Sequence, residues 1–203
     1  ALKNKEDQPK AVKAINLELH PVELPEGSET MFSWACDPMR VDDDTRQKLI
    51  ACIQYVINRR FDPHDERFYW SPAAGYADRV LLPFTQDGVI VGYTGRKITE
   101  GKPKYLTDAQ PGYVYNIDRQ TADRQFVIVV EGQFDAIAID GCAIMHNSPN
   151  ATQIQRLKML QREVIVVPDR DKPGAEMLKS ALENSWSVSL PPWGCLLYTS
   201  DAA

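Results

Sequence analysis

Two runs of β-branched residues, each closed by a cluster of acids, constrain this chain more than any other feature. Val127, Ile128, Val129 and Val130 lead into Glu131, Gly132, Gln133, Phe134 and Asp135, while Val164, Ile165, Val166 and Val167 lead into Pro168, Asp169, Arg170 and Asp171. Short continuous runs of Val and Ile bounded by Gly or Pro read as strands buried on both faces, the habit of parallel sheets. Both acid clusters then stand at strand C-termini, and in open α/β sheets ligands bind in the crevice outside those ends. Four carboxylates converging there cannot all stay ionised without a counter-charge, and a divalent cation is the usual one. The pattern predicts a magnesium site that handles phosphates.

The rest of the chain frames that pair. With Asp42, Asp43 or Asp44 as N-cap, a helix is expected to run to about Arg60, with Leu49, Cys52, Ile53, Val56 and Ile57 as its buried stripe. A hairpin follows, with strands at 80–84 and 89–93 around Asp87 and Gly88, a dipeptide that supplies positive φ for the turn. Gly92 and Gly95 let something approach the second strand closely. Further on, strands at 126–130, 143–145, 164–167 and 188–190 alternate with helices at 133–140, 152–160 and 173–183. That alternation implies right-handed crossovers and a small parallel sheet. Residues 1–40 contain Pro21, Pro25, Gly27 and Pro38 without a sustained period and read as a linker or loosely packed lead-in. The chain therefore divides into that lead-in, a basic α+β unit over 41–120, an α/β unit over 121–194 and a tail over 195–203.

Composition is globular, with 43% hydrophobic and 25% charged residues in 203. No apolar stretch approaches the roughly 18 residues that a membrane span needs, and the polar N-terminus lacks a signal-peptide core, so a cytoplasmic setting is expected. Cys36, Cys52, Cys142 and Cys195 form no CxxC pair and read as core thiols rather than a zinc ribbon or disulfide framework. His20, His64 and His146 match no ligand spacing. The net charge is -5, yet Arg79, Arg96, Lys97, Lys102 and Lys104 fall within one short stretch. Local sign matters more to a polyanion than the sum.

Glu131 is expected at a strand tip and Asp135 in the first turn of the next helix, with Gly132 leaving room for a phosphate or metal between them. Asp169 and Asp171, two apart, share a face if the segment is extended. The helix begun by Lys172, Pro173 and Gly174 adds a partial positive charge beside them. Arg79, Arg96 and Lys104 alternate with Tyr93 and Tyr105, a mixture suited to a groove that tracks a nucleic-acid backbone and stacks bases. Lys97 and Lys102 read as helpers, and Tyr69 and Trp70 as core edge.

These acid motifs resemble the Toprim domain of bacterial-type primases, topoisomerases and some nucleases, marked by a strand-terminal Glu in an EGxxD setting and a later DxD. Three upstream stretches resemble the basic subdomain that precedes Toprim in bacterial-type primases. They are Arg79 through Phe84 (RVLLPF), Gly92 through Arg96 (GYTGR) and Lys102 through Leu106 (KPKYL), similar to an RVxxPF strand, a G(F/Y)xGR strand and a PKYLN loop. The match covers about residues 45–190, and EGQFDAIAIDG and VIVVPDRDKPG are closest in wording to phage-encoded primases.

The resemblance implies an α/β fold, a Toprim-type small parallel sheet flanked by helices, preceded by an α+β basic primase subdomain. It implies primer synthesis from ribonucleoside triphosphates on single-stranded DNA, with Mg2+ or Mn2+ held by Glu131, Asp169 and Asp171 and supported by Asp135. Glu131 is either general base or base-side ligand. Arg79, Arg96 and Lys104, with Lys97, Lys102 and Tyr105, are the implied nucleic-acid and nucleotide contacts, and a replicative helicase is a further possible partner. A Toprim nuclease and a non-catalytic binding or helicase-partner module are the alternatives. Two departures stand out. The family's N-terminal zinc-binding domain has no counterpart here, and residues 195–203 read as non-native sequence following a truncated core.

Overall fold

The computed structural model describes residues 18–169 and 172–190. Helix α2 (Asp43–Asn58) begins where the acidic turn places it: the Asp42 carboxylate accepts the Thr45 N–H at 3.0 Å, and Asp43 and Asp44 lie against the positive helix end. Leu49, Cys52 and Val56 are buried. Ile57, expected in the same stripe, is 45% exposed. At 100° per residue it sits about 80° around from Leu49, past the edge of the buried arc.

The first sheet is antiparallel in the order β1 (Glu29–Thr30), β2 (Tyr69–Trp70), β3 (Arg79–Gln86), β4 (Val89–Lys97), β5 (Tyr105–Ala109). The β3–β4 turn has φ of 52° at Asp87 and 78° at Gly88, as the Asp-Gly pair demands. Gly92 meets the predicted close approach, since a Cβ there would stand 2.4 Å from the Asp108 carbonyl oxygen of β5. The stretch expected as a loop around Tyr105 is thus partly a strand. It pairs along β4 from Arg96↔Tyr105 to Gly92↔Ala109, and its largely exposed side chains carry no apolar alternation to betray it.

Part of the expected lead-in is folded as well. Helix α1 (Met31–Cys36) is capped by Thr30, whose hydroxyl accepts the Ser33 N–H, and it buries Met31 and Trp34, the latter edge-on to Trp70 at 5.0 Å. A six-residue helix is too short to show a period, so only its tertiary contacts reveal it. Trp70, read as core edge, is fully buried and donates its indole N–H to the Ala77 carbonyl at 2.8 Å. Residues 1–17 and 195–203 lie outside the described residues.

The second sheet is parallel, in the order β7 (Cys142–Ala143), β6 (Phe126–Val130), β8 (Glu163–Val166), β9 (Ser187–Val188). Its crossovers are α3 (Gln133–Ile139), α4 (Ala151–Met159) and α5 (Lys172–Glu183). A reciprocal cap opens α4, Asn150 accepting the Gln153 N–H while the Gln153 side chain accepts the Asn150 N–H. The same Gln153, almost wholly buried, donates to the carbonyls of Tyr113 and Ile144, tying α4 to the segment between the sheets.

One apolar core joins the two sheets. Val130, Phe134, Ala143 and Val167 of the parallel unit pack with Phe68, Trp70, Phe84 and Tyr115, and Phe134 stacks on Phe68 at 6.2 Å. A second core of Val127, Val129, Ile144, Leu157, Val164 and Met177 lies within the parallel unit. Tyr115 adds a backbone bridge to Ala143 in both directions. Cys52 and Cys142 are core thiols as expected, their pKa pushed up by burial, but Cys36 at the end of α1 is exposed. Among the described residues no helix is long and apolar enough to cross a membrane.

Candidate active site

Strand β6 stops at Val130, so Glu131 is the first residue beyond it, Gly132 caps α3 and Asp135 falls in that helix's first turn. A Cβ on Gly132 would lie 2.8 Å from Asp135 Oδ2, so glycine is what lets this carboxylate, 8% exposed, fold back over the strand end. β8 runs parallel beside β6 with Val129 opposite Val166, and the Asp169 N–H donates to Glu131 Oε1 at 3.3 Å. From the other neighbour, β7, the chain turns at Met145 with φ of 61°, its N–H held by the Glu131 carbonyl at 3.0 Å, and continues into His146 and Asn147.

These strand ends form one wall of a cleft of about 400 Å³, and Glu131, Asp135 and Asp169 all line it. The facing wall comes from the first sheet through Thr94 of β4 and Tyr105, Thr107 and Ala109 of β5. Asp171 lies outside the described residues, as does Arg170. Among the described residues no three His, Cys, Asp or Glu side chains converge closely enough to hold a metal ion by themselves. The acids thus share a cavity without forming a closed cage.

The basic residues divide by burial. Arg79 is 4% exposed, and its guanidinium donates to the carbonyls of Gly75 (2.9 Å), Gly95 (3.1 Å), Pro103 (3.1 Å) and Lys104 (3.4 Å). Gly95 leaves the space it fills, since a Cβ there would stand 3.2 Å from Arg79 Cδ. Expected as a groove contact, Arg79 instead pins the loop that presents Lys104 and Tyr105. Arg96 is 6% exposed, donates to the Tyr105 hydroxyl at 2.7 Å and sits 4.9 Å over that ring, so it orients the aromatic face that lines the cleft. Lys97 pairs with Asp78 at 3.4 Å. Lys102 and Lys104 are exposed beside Tyr105.

Five polar cleft residues have no counterpart among the expected site residues: Thr94, Thr107, Gln133, His146 and Asn147. The position of His146 was readable in outline, because it follows the end of a third parallel strand, the same address as Glu131 and Asp169. Thr107 was hidden because β5 reads as loop.

No protein-family model matches the chain. Its sequence is 28% identical over 125 residues to a DNA primase of Synechococcus elongatus, covering 53% of this chain and 18% of that protein. Against a DNA primase of Haemophilus influenzae it is 27% identical over 161 residues, covering 71% of this chain and 26% of that protein. The chain therefore spans about a quarter or less of the curated relatives it matches. Among solved structures, a DnaG catalytic core superposes with a TM-score of 0.53 at 18% identity, covering 81% of this chain and 66% of the other. The E. coli primase catalytic core gives 0.52 at 22% identity, with 84% and 58% covered. A DnaG primase catalytic domain bound to single-stranded DNA gives 0.51 at 18% identity, with 81% and 67% covered. This chain is thus similar in sequence to bacterial DNA primases and shares the fold of the DnaG primase catalytic core.

Proposed function

We propose that this chain is a primase catalytic core that joins ribonucleotides on a single-stranded DNA template. The observation that carries the reading is the cleft itself, in which Glu131, Asp135 and Asp169 at parallel strand ends face Tyr105 and Thr107 of the basic sheet. Acids on one wall and a polar, aromatic surface on the other suit phosphoryl chemistry on a strand held by its bases and backbone. Similarity to primases, one of them solved with single-stranded DNA, supports the template as partner.

The donors fit a hard cation, being carboxylate oxygens throughout. Mg2+ binds through one or two carboxylates plus phosphates and water, so an open set of acids suits it better than a closed cage would. Glu131 and Asp169, with Asp135 in support and Asp171 as the fourth acid of the sequence pattern, would hold Mg2+ or Mn2+, which when bound lowers the charge of the incoming triphosphate. Glu131 would accept the proton of the attacking 3'-hydroxyl or hold the ion at that end. Tyr105, fixed by Arg96, offers a stacking face, and Lys104 and Lys102 beside it attract phosphates. Arg79 keeps that loop in place. In this reading residues 41–120 guide template and nucleotide while 121–194 carry the acids. Phage origin and a helicase partner rest on sequence resemblance alone.

Incorporation of labelled ribonucleotides on single-stranded DNA with Mg2+ tests the proposal. Template-dependent RNA products support it. Shortening of the DNA points to a Toprim nuclease, and DNA retention with neither reaction points to a binding module.

A further inference from the structure

Among the described residues no lysine or arginine lines the acidic cleft, although Glu131, Asp135 and Asp169 all do. A triphosphate entering it needs hydrogen-bond donors from the lining as well as an ion. On the basic sheet's side the polar groups are already engaged. Thr94 and Thr107 share a hydrogen bond at 2.7 Å, and the Tyr105 hydroxyl accepts from Arg96 at 2.7 Å. The side chains of Gln133, His146 and Asn147 have no hydrogen-bond partner among the described residues, and all three belong to the wall that carries the acids.

His146 is the best anchored of the three. Parallel pairing runs on past β7, Ile144 N–H donating to the Val130 carbonyl at 3.1 Å and Met145 N–H to the Glu131 carbonyl at 3.0 Å. His146 therefore follows directly on a residue tied to Glu131 itself. Met145 turns there with φ of 61°, left-handed backbone that a residue of its kind rarely adopts. Of the described non-glycine residues at positive φ, it is the one that lines the cleft. Such a conformation persists where its surroundings over-determine it, and such sites cluster at ligand clamps. Here the backbone bond to Glu131 and the packing of the Met145 side chain against the core between the sheets hold it. The turn delivers an exposed His146 into the lining that Glu131 and Asp169 share.

We propose that His146 is a nucleotide-binding residue, its ring N–H donating to a non-bridging oxygen of the triphosphate gathered at the acids. Imidazole offers an N–H in either tautomer. The inference rests on the reading of this cleft as a metal-dependent phosphate site. Triphosphate is favoured over template because a strand's phosphates are drawn to the exposed Lys102 and Lys104 beside Tyr105, whereas bare acids repel them.

Calorimetric titration of the full chain, with Mg2+, tests this with the non-reacting guanosine 5'-(α,β-methylene)triphosphate and with GMP. The parent should bind the triphosphate more tightly. His146→Ala should weaken that binding about tenfold or more, the share of a hydrogen bond to a charged group, and leave GMP and single-stranded DNA affinities nearly unchanged. His146→Gln, which keeps an N–H donor, should recover part of the loss. Primer synthesis measured alongside separates the two readings. A parent that makes no primer yet loses triphosphate affinity with His146→Ala keeps this contact and removes the primase assignment. A primer-making parent whose triphosphate affinity ignores His146 removes the contact alone. Equal losses for GMP and triphosphate, a loss of DNA affinity in place of triphosphate affinity, no recovery with His146→Gln, or no triphosphate binding by the parent overturns the proposal.

Discussion

The backbone N–H of Asp169 donates to Glu131 Oε1 at 3.3 Å, linking the ends of two adjacent parallel strands. Thirty-eight residues separate the two in sequence, and it is the β6–β8 register, Val129 against Val166, that brings them together. The bond holds one Glu131 oxygen through a backbone donor.

Gly132→Ala should separate fold from function. Gly132 has φ of −98°, which any residue adopts, so the stability cost should stay below about 1 kcal/mol. The new Cβ would stand 2.8 Å from Asp135 Oδ2 and push that carboxylate aside. Primer synthesis is expected to fall about 10- to 100-fold, as displacements near a reacting centre do. Melting curves beside activity assays check both halves.

Gly92→Ala should act on the fold. Its Cβ would meet the Asp108 carbonyl at 2.4 Å and Phe84 at 3.0 Å, and neither a paired strand nor a buried ring can easily give way. Destabilisation of about 1–3 kcal/mol is expected from such crowding, read from urea denaturation. Faster amide exchange along β5 should accompany it.

Arg79 and the two exposed lysines should give opposite signatures. Arg79→Gln strips donors from the buried Gly95 carbonyl and the part-buried carbonyls of Gly75, Pro103 and Lys104 and should lower stability by about 2–3 kcal/mol, with little change in the salt slope of DNA binding. Lys102→Ala with Lys104→Ala should leave melting unchanged and flatten that slope by about 0.7 for each single-strand phosphate no longer neutralised by a lysine. A slope change for Arg79→Gln as large as that of the lysines would return it to the groove.

Asp118 carries a pH dependence. Burial raises its carboxyl above the ordinary 3.8, against the hydrogen bond from Thr85. A carboxyl raised in the folded state adds stability while protonated and loses it as pH climbs from that ordinary value through the folded one. Asp118→Asn, which can still accept from Thr85, should therefore denature later than the parent near neutral pH and lose the advantage below 3.8. Denaturant midpoints at both ends of the range decide it, and a variant less stable at neutral pH contradicts the burial argument.

Legibility followed how local each signal was. The parallel unit could be read almost to the residue, because β6, α3, α4 and β8 each carry their own period and punctuation, as in the Val run before Glu131 and the Pro after Val167. The Asp-Gly turn fixed the β3–β4 hairpin for the same reason. What escaped depends on partners distant in sequence. α1 exists through the packing of Trp34 on Trp70, β5 through pairing to β4, and the burial of Arg79 through the gap at Gly95. The acids of the candidate site were legible as strand-end residues and His146 in outline by the same address, whereas Thr107 enters the cleft through the docking of one sheet against the other.

The most direct measurement is Mg2+-dependent incorporation of labelled ribonucleotides on single-stranded DNA by the parent chain, Glu131→Gln and Asp169→Asn, with folding checked by circular dichroism. Template-dependent RNA products are expected from the parent, together with losses of several orders of magnitude in both near-isosteric variants at unchanged fold. Products formed equally by either variant, or none from a folded parent chain, would contradict the assignment of this cleft.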